Sequence, residues 1–261
     1  MNNRIVQLFS SRPQDKILSV FTTAGYPSLN DTLTVCQTLE ESGVDMIELG
    51  FPYSDPLADG PTIQASSERA LSNGMNLSVL FEQLRGLREK VSIPVLLMGY
   101  LNPVIQYGVE RFCKDCQEVG IDGLILPDLP FDEYLSEYKP LWESCNLSAV
   151  FLVTQFTSEE RIRVMDAASQ GFMYIVSSSA VTGDKLKVDQ ERQAYFQRIQ
   201  DMKLSNPAVV GFGIRDPESF AKTTQFAQGG IIGSAFVEAI RETQDLEQTI
   251  RDWVAPFRAT L

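Results

Sequence analysis

Two carboxylates, Glu48 and Asp59, stand at the ends of the run Glu48-Leu-Gly-Phe-Pro-Tyr-Ser-Asp-Pro-Leu-Ala-Asp-Gly-Pro61, whose prolines and glycines mark it as a shaped loop. The chain has no histidine, so proton transfer near neutral pH falls to carboxylates, Tyr, Lys or Cys. Glu48 follows the apolar Met46 and Ile47. A carboxyl at the end of a buried strand is poorly hydrated, which favours its neutral form and raises its pKa. Such a group can both give and take a proton at pH 7. Asp59, further along the loop and nearer to solvent, is expected to stay ionised. The spacing alone equally allows Glu48 to pair with a basic neighbour and Asp59 to cap a helix starting near Pro61.

A second group of residues suits an anion. Glycines punctuate Val209-Val-Gly-Phe-Gly-Ile-Arg-Asp-Pro-Glu218 and Ile231-Ile-Gly-Ser-Ala-Phe236, where backbone N–H groups can approach a phosphate closely, and a helix opening after Gly233-Ser234 would add its dipole. Arg215 is the nearby cation, and Gly183 could supply another amide. The same glycines would also serve tight turns and close packing.

These residues need elements to hold them. Eight apolar, β-prone runs (Ile17–Ala24, Met46–Leu49, Val95–Met98, Gly123–Leu126, Ala149–Val153, Met173–Val176, Ala208–Val210 and Gly230–Ile232) alternate with stretches of helical period such as 32–41 and 77–87. Runs apolar on both faces are those of parallel strands covered on both sides. The length of 261 residues, with no linker or composition break, fits one α/β domain over 1–261, a single (β/α)8 TIM barrel preceded by a short extra N-terminal helix. A doubly wound open sheet is the alternative. Two connections, Gly50 to Pro61 and Ser177 to Asp189, exceed the usual βα loop. Both follow the carboxyl ends of strands, where barrel active sites are built and a lid would lie.

Composition removes other classes. A net charge of −12 without a basic face argues against nucleic acid and anionic membrane surfaces. No segment approaches the ~18 apolar residues of a membrane span or the core of a signal peptide, the pattern of a cytoplasmic protein. Cys36, Cys113, Cys116 and Cys145 are too few for a disulfide scaffold. Cys113 and Cys116 lack the further ligands of a zinc site and have the spacing of neighbours on one helix face. A Schiff-base lysine near a strand end is also missing, since Lys16 precedes its strand and Lys185 lies in the sixth loop.

Phe21-Thr-Thr-Ala-Gly-Tyr-Pro27, the run from Glu48 to Pro61, Met98-Gly-Tyr-Leu-Asn-Pro103, Gly123-Leu-Ile-Leu-Pro-Asp-Leu-Pro130, Gly211-Phe-Gly-Ile214 and Gly233-Ser-Ala235 together resemble the tryptophan synthase alpha subunit family, in order and over nearly the whole chain. The resemblance implies a lyase that cleaves indole-3-glycerol phosphate to indole and glyceraldehyde 3-phosphate, without metal or organic cofactor. It implies Glu48 as the proton shuttle and Asp59 as the group on the indole N–H. Phe21, Tyr100, Tyr174 and Phe212 become walls of an indole slot, and Gly183, Gly213, Gly233 and Ser234 hold the phosphate. The family further implies a pyridoxal-phosphate-dependent beta subunit as partner, in an alpha2beta2 complex, receiving indole through a channel. In that reading the loop Tyr53 to Asp59 faces the partner, Asp55 is a contact, and Thr182 closes onto Asp59. One departure stands out: the family's Ser-Arg-x-Gly-Val-Thr-Gly is Ser177-Ser-Ser-Ala-Val-Thr-Gly183 here, with Ser178 and Ala180 at the altered positions.

Overall fold

The computed structural model describes residues 3–177 and 185–261. Its strands are β1 Ile17–Thr23, β2 Met46–Gly50, β3 Val95–Met98, β4 Gly123–Ile125, β5 Ser148–Ala149, β6 Leu152–Val153, β7 Met173–Val176, β8 Ala208–Gly211 and β9 Gly229–Ile232. They form one curled sheet in the order β5-β4-β3-β2-β1-β9-β8-β7-β6, and each neighbouring pair is parallel. Helices between the strands cover its outer face, so the strands are buried on both sides, as their continuous apolar runs require.

The two edges of the sheet, β5 and β6, are consecutive pieces of one segment, and so the sheet closes on itself through the chain as a (β/α)8 barrel. The expected fifth strand, Ala149–Val153, is thus divided. Ser148 and Ala149 pair only with β4, whereas Leu152 and Val153 pair only with β7. Between them Val150 donates to Leu124 O at 3.2 Å and Phe151 accepts from Tyr174 N at 3.1 Å, so the change of partner occurs within two residues.

The short N-terminal helix, Arg4–Ser11, is capped by the Asn3 side chain, which accepts from Ile5 N at 2.9 Å. It turns Ile5 and Phe9 inward across the N-terminal end of the barrel. A Cβ on Gly171 would lie 2.6 Å from Ile5 Cγ2, which explains glycine at that contact. At the other end of the chain, helix Leu246–Arg258 packs on helix Thr32–Glu41. Outside β6 and β7, helix Lys185–Asp201 covers a smaller apolar cluster containing Ile162, Ile175 and Phe196.

The long connection after β2 is present as Phe51–Gly60, ending where helix Pro61–Ser72 begins with proline in its first turn. The connection after β7 is shorter than expected, because its helix starts at Lys185 rather than beyond Asp189. Lys185-Leu-Lys-Val is too short to display a helical period of its own. Thr182 and Gly183, with Ser178 and Ala180, lie outside the described residues.

Candidate active site

Glu48 sits on β2 between two register partners, Phe21 of β1 and Leu96 of β3. It is fully buried, and among the described residues neither carboxylate oxygen has a hydrogen-bond partner. Among the described residues no basic group pairs with it, so none supports the ion-pair reading. Burial alone pushes its pKa up to about 8, because a charged carboxylate is poorly stabilised when it is removed from solvent. The group is therefore mostly a neutral acid at pH 7.

Asp59 does not cap the following helix. Gly60 holds the N-cap position and makes no side-chain capping bond, so the Asp59 carboxylate is free for other work. It is half-buried rather than fully solvated, and burial pushes its pKa above the ordinary value, opposed by a hydrogen bond from Tyr100. The Tyr100 hydroxyl donates to Asp59 Oδ2 at 3.1 Å and accepts from Ala58 N at 3.0 Å.

A cavity of about 510 Å³ opens at the carboxyl ends of the strands. Phe21, Tyr174 and Phe212 wall its apolar part together with Ile63, Met98 and Ile231, and Asp59 stands at its edge. Glu48 is the register partner of Phe21 on the neighbouring strand. Tyr174 is buried, and its pKa is driven well up by burial and then by the charges of Glu48 and Asp59, so its hydroxyl shares their electrostatic neighbourhood. Tyr100 lines not this cavity but a smaller adjoining one of about 20 Å³, which shares Phe21, Asp59, Ile63 and Met98. Its ring lies against Tyr53 with centroids 5.5 Å apart.

Another part of the cavity lining is polar: Gly213, Arg215, Gly233, Ser234 and Glu238. Gly233 precedes helix Ser234–Ala239 without a side-chain cap, leaving its first N–H groups for a ligand or water. Phe212 and Gly213 both have positive φ, 71° and 79°; for an aromatic residue that conformation costs about 1–3 kcal/mol. Ser177 helps to hold it, donating to the Phe212 carbonyl at 2.5 Å. This strain is concentrated where the apolar and polar ends of the cavity meet.

Two glycines at strand ends belong to the site without being evident from chemistry-bearing residue types. A Cβ on Gly50 would lie 2.5 Å from Phe21 Cζ, and one on Gly211 would lie 2.2 Å from Tyr174 Oη. Glycine inside a strand signals such close approach, and that signal was available at both positions. The thiols of Cys113 and Cys116 are buried on the inner face of helix Val109–Val119, and burial pushes both upward in pKa, away from reactivity.

The sequence matches the family described as Tryptophan synthase alpha chain over residues 9–258. Tryptophan synthase alpha chain of Flavobacterium johnsoniae is 54% identical over 241 residues, covering 92% of this chain and 94% of that one. That of Christiangramia forsetii is 55% identical over 240 residues, covering 92% and 93%. Among solved structures, tryptophan synthase subunit alpha from Legionella pneumophila superposes with a TM-score of 0.90 at 33% identity, covering 100% of this chain and 98% of that one. A chain of Mycobacterium tuberculosis tryptophan synthase in its aminoacrylate-bound form gives 0.86 at 31% identity, each chain covered to 99%. With its barrel, its paired carboxylates and near-complete coverage by these relatives, the chain belongs to the tryptophan synthase alpha chain family.

Proposed function

We propose that Glu48 and Asp59 carry out the lyase reaction of this family, the cleavage of indole-3-glycerol phosphate to indole and glyceraldehyde 3-phosphate. The neutral Glu48 carboxyl donates its proton to indole C3, and the ring becomes an indoleninium-like cation. Asp59, ionised, accepts a hydrogen bond from the indole N–H and stabilises that charge as it develops. Glu48, now a carboxylate, takes the proton of the glycerol hydroxyl adjacent to the breaking carbon–carbon bond. The bonding electrons return to the ring, and indole and the aldehyde separate. One carboxyl thus acts as acid and then base, which its raised pKa suits. Phe21, Tyr174 and Phe212 hold the indole. The amides at Gly213, Gly233 and Ser234 hold the phosphate, with Arg215 as the neighbouring cation; Gly183 and Thr182 are assigned to phosphate and lid on the family pattern.

The observation that carries this reading is the buried Glu48 carboxyl, which has no hydrogen-bond partner among the described residues, a costly arrangement of the kind that clusters at functional sites. We take residues 1–261 as one domain acting in the cytoplasm with a beta subunit, to which indole is passed. No helix among the described residues is long and apolar enough to cross a membrane. Leu57, Ile105 and Phe156, 86%, 49% and 88% exposed, follow β2, β3 and β6 and give the cavity end of the barrel apolar points for such a partner, with Asp55 beside Leu57.

Indole release from indole-3-glycerol phosphate, by the chain alone and with beta subunit, tests the proposal. Slow release alone and stimulation on mixing are expected. Substrate binding without release under either condition would leave an activating subunit with no catalysis of its own. A high rate alone, unchanged on mixing, would mark an independent lyase.

A further inference from the structure

Tyr100 differs from the other aromatic residues of the site in what its hydroxyl does. It joins two consecutive residues of the loop 51–60, accepting from Ala58 N at 3.0 Å and donating to Asp59 Oδ2 at 3.1 Å. Its backbone position is itself fixed from outside the cavity. Tyr100 is the N-cap of helix Leu101–Tyr107, and the next amide, Leu101 N, donates to both oxygens of Asp128 at 2.9 and 3.1 Å. The beginning of the loop is tied to the same helix, since Asn102 Nδ2 donates to the Tyr53 hydroxyl at 3.2 Å and the Tyr53 ring lies against that of Tyr100.

We propose that Tyr100 is a positioning residue for the lyase reaction, whose hydroxyl aims the Asp59 carboxylate and holds it ionised by gripping the loop at Ala58 and Asp59. The inference rests on the assignment of Asp59 to the indole N–H. Loops at a barrel mouth are mobile unless tied down, and a carboxylate misplaced by 1 Å loses much of its effect on a developing charge. A donor to an ionised carboxylate also favours that form over the neutral one.

Among the described residues few other groups set the charge of Asp59. Tyr174, Arg215 and Glu238 line the same cavity, and Glu48 is the register partner of Phe21. The Tyr100 phenol is itself pushed up to about 12 and Tyr174 further, so both stay neutral while Asp59 titrates. Among the described residues the Tyr100 hydroxyl is then the side-chain donor to that carboxylate, and its loss is felt directly.

The test is indole release against pH by the full chain and by Tyr100→Phe, Asp59→Asn and the double variant. Phenylalanine keeps the ring and its packing on Tyr53, so the fold and KM are expected to stay near wild type. Loss of a hydrogen bond to a charged group lowers kcat roughly tenfold to a hundredfold. The acid limb of the pH profile moves to higher pH, because Asp59 loses the donor that favours its ionised form. The double variant is no slower than Asp59→Asn, as expected when one residue acts through the other.

An acid limb unmoved in Tyr100→Phe, or a double variant slower than Asp59→Asn by the full factor that Tyr100→Phe produces alone, would overturn the proposal and leave Asp59 in its role. Wild-type turnover in Asp59→Asn would instead overturn the reading of Asp59 and the positioning role with it.

Discussion

The two ends of the barrel treat buried acids in opposite ways. At the N-terminal end every acid that goes inside is met. Asp122 accepts from Arg88 at 2.6 Å, Arg4 at 3.0 Å and Val95 N at 2.9 Å. Asp45 accepts from Leu18 N at 2.8 Å and pairs with Arg12 and Arg258. Asp166 takes Ser205 N, Asn206 N and Asn206 Nδ2 at 2.7 to 2.9 Å. At the carboxyl end Glu48 is buried as deeply and receives no donor among the described residues. The same chain can satisfy a buried carboxylate, so the bareness of Glu48 is a property of that end and not of the fold. Acids with partners fasten loops and the N-terminal helix to strand starts; an acid without them keeps its proton and is available to transfer it.

Removing each kind of acid should give opposite results. Glu48→Gln is expected to lower indole release roughly 10²- to 10⁴-fold, with KM little changed because the cavity walls and the phosphate end remain; steady-state kinetics with pure variant checks this. Asp122→Ala leaves the part-buried Arg88 guanidinium without its counter-charge and Val95 N without its acceptor, and denaturant unfolding should show a loss of about 3–5 kcal/mol. Its folded molecules should still turn over, since Asp122 lies at the far end from the cavity.

The comparison sharpens with pH. Below about pH 4.5, the ordinary Glu value, Glu48 is protonated in both folded and unfolded chains. Between that value and about 8 the folded state keeps a proton that the unfolded chain has released, so this residue's contribution falls by roughly 1.4 kcal/mol per pH unit. Above about 8 the loss is complete and levels off. Glu48→Gln removes the titration, so the variant should gain stability over the wild type as pH rises from 5 to 8, measured by unfolding at a series of pH values. A wild-type chain that lost no stability relative to the variant across that window would contradict the assignment. The smallest effect belongs to the exposed pair Arg85–Glu82, 3.1 Å apart on the outer surface: Glu82→Ala should shift unfolding by less than about 1 kcal/mol.

Much of this contrast could be anticipated from the residues at one end only. Glu48 and Asp59 announced themselves by type, by the apolar residues before Glu48 and by the shaped loop between them. The barrel followed from β-prone runs apolar on both faces. What stayed hidden depended on contacts distant in sequence. Arg258 reaches Asp45 across 213 positions, and nothing in local pattern pairs them. The division of the fifth strand arises because its two halves serve different neighbours, although their residues are equally β-prone. Tyr100 was legible as an aromatic residue at a strand end, but its ring faces a smaller pocket while its hydroxyl serves Asp59, and side-chain direction follows from packing rather than from residue type. The helix from Lys185 began earlier than its pattern suggested because a first turn has no period to read.

Glu48 is a neutral acid at physiological pH because it is buried and no described residue hydrogen-bonds to it. The direct measurement is the titration of its side-chain carboxyl by carbon NMR on chain labelled with ¹³C at glutamate Cδ, the resonance assigned by its absence in Glu48→Gln. A midpoint near 8 is expected. A midpoint within the ordinary range for glutamate, about 4 to 5, would mean that Glu48 is already a carboxylate at pH 7, and the assignment of its first step as proton donation would be wrong.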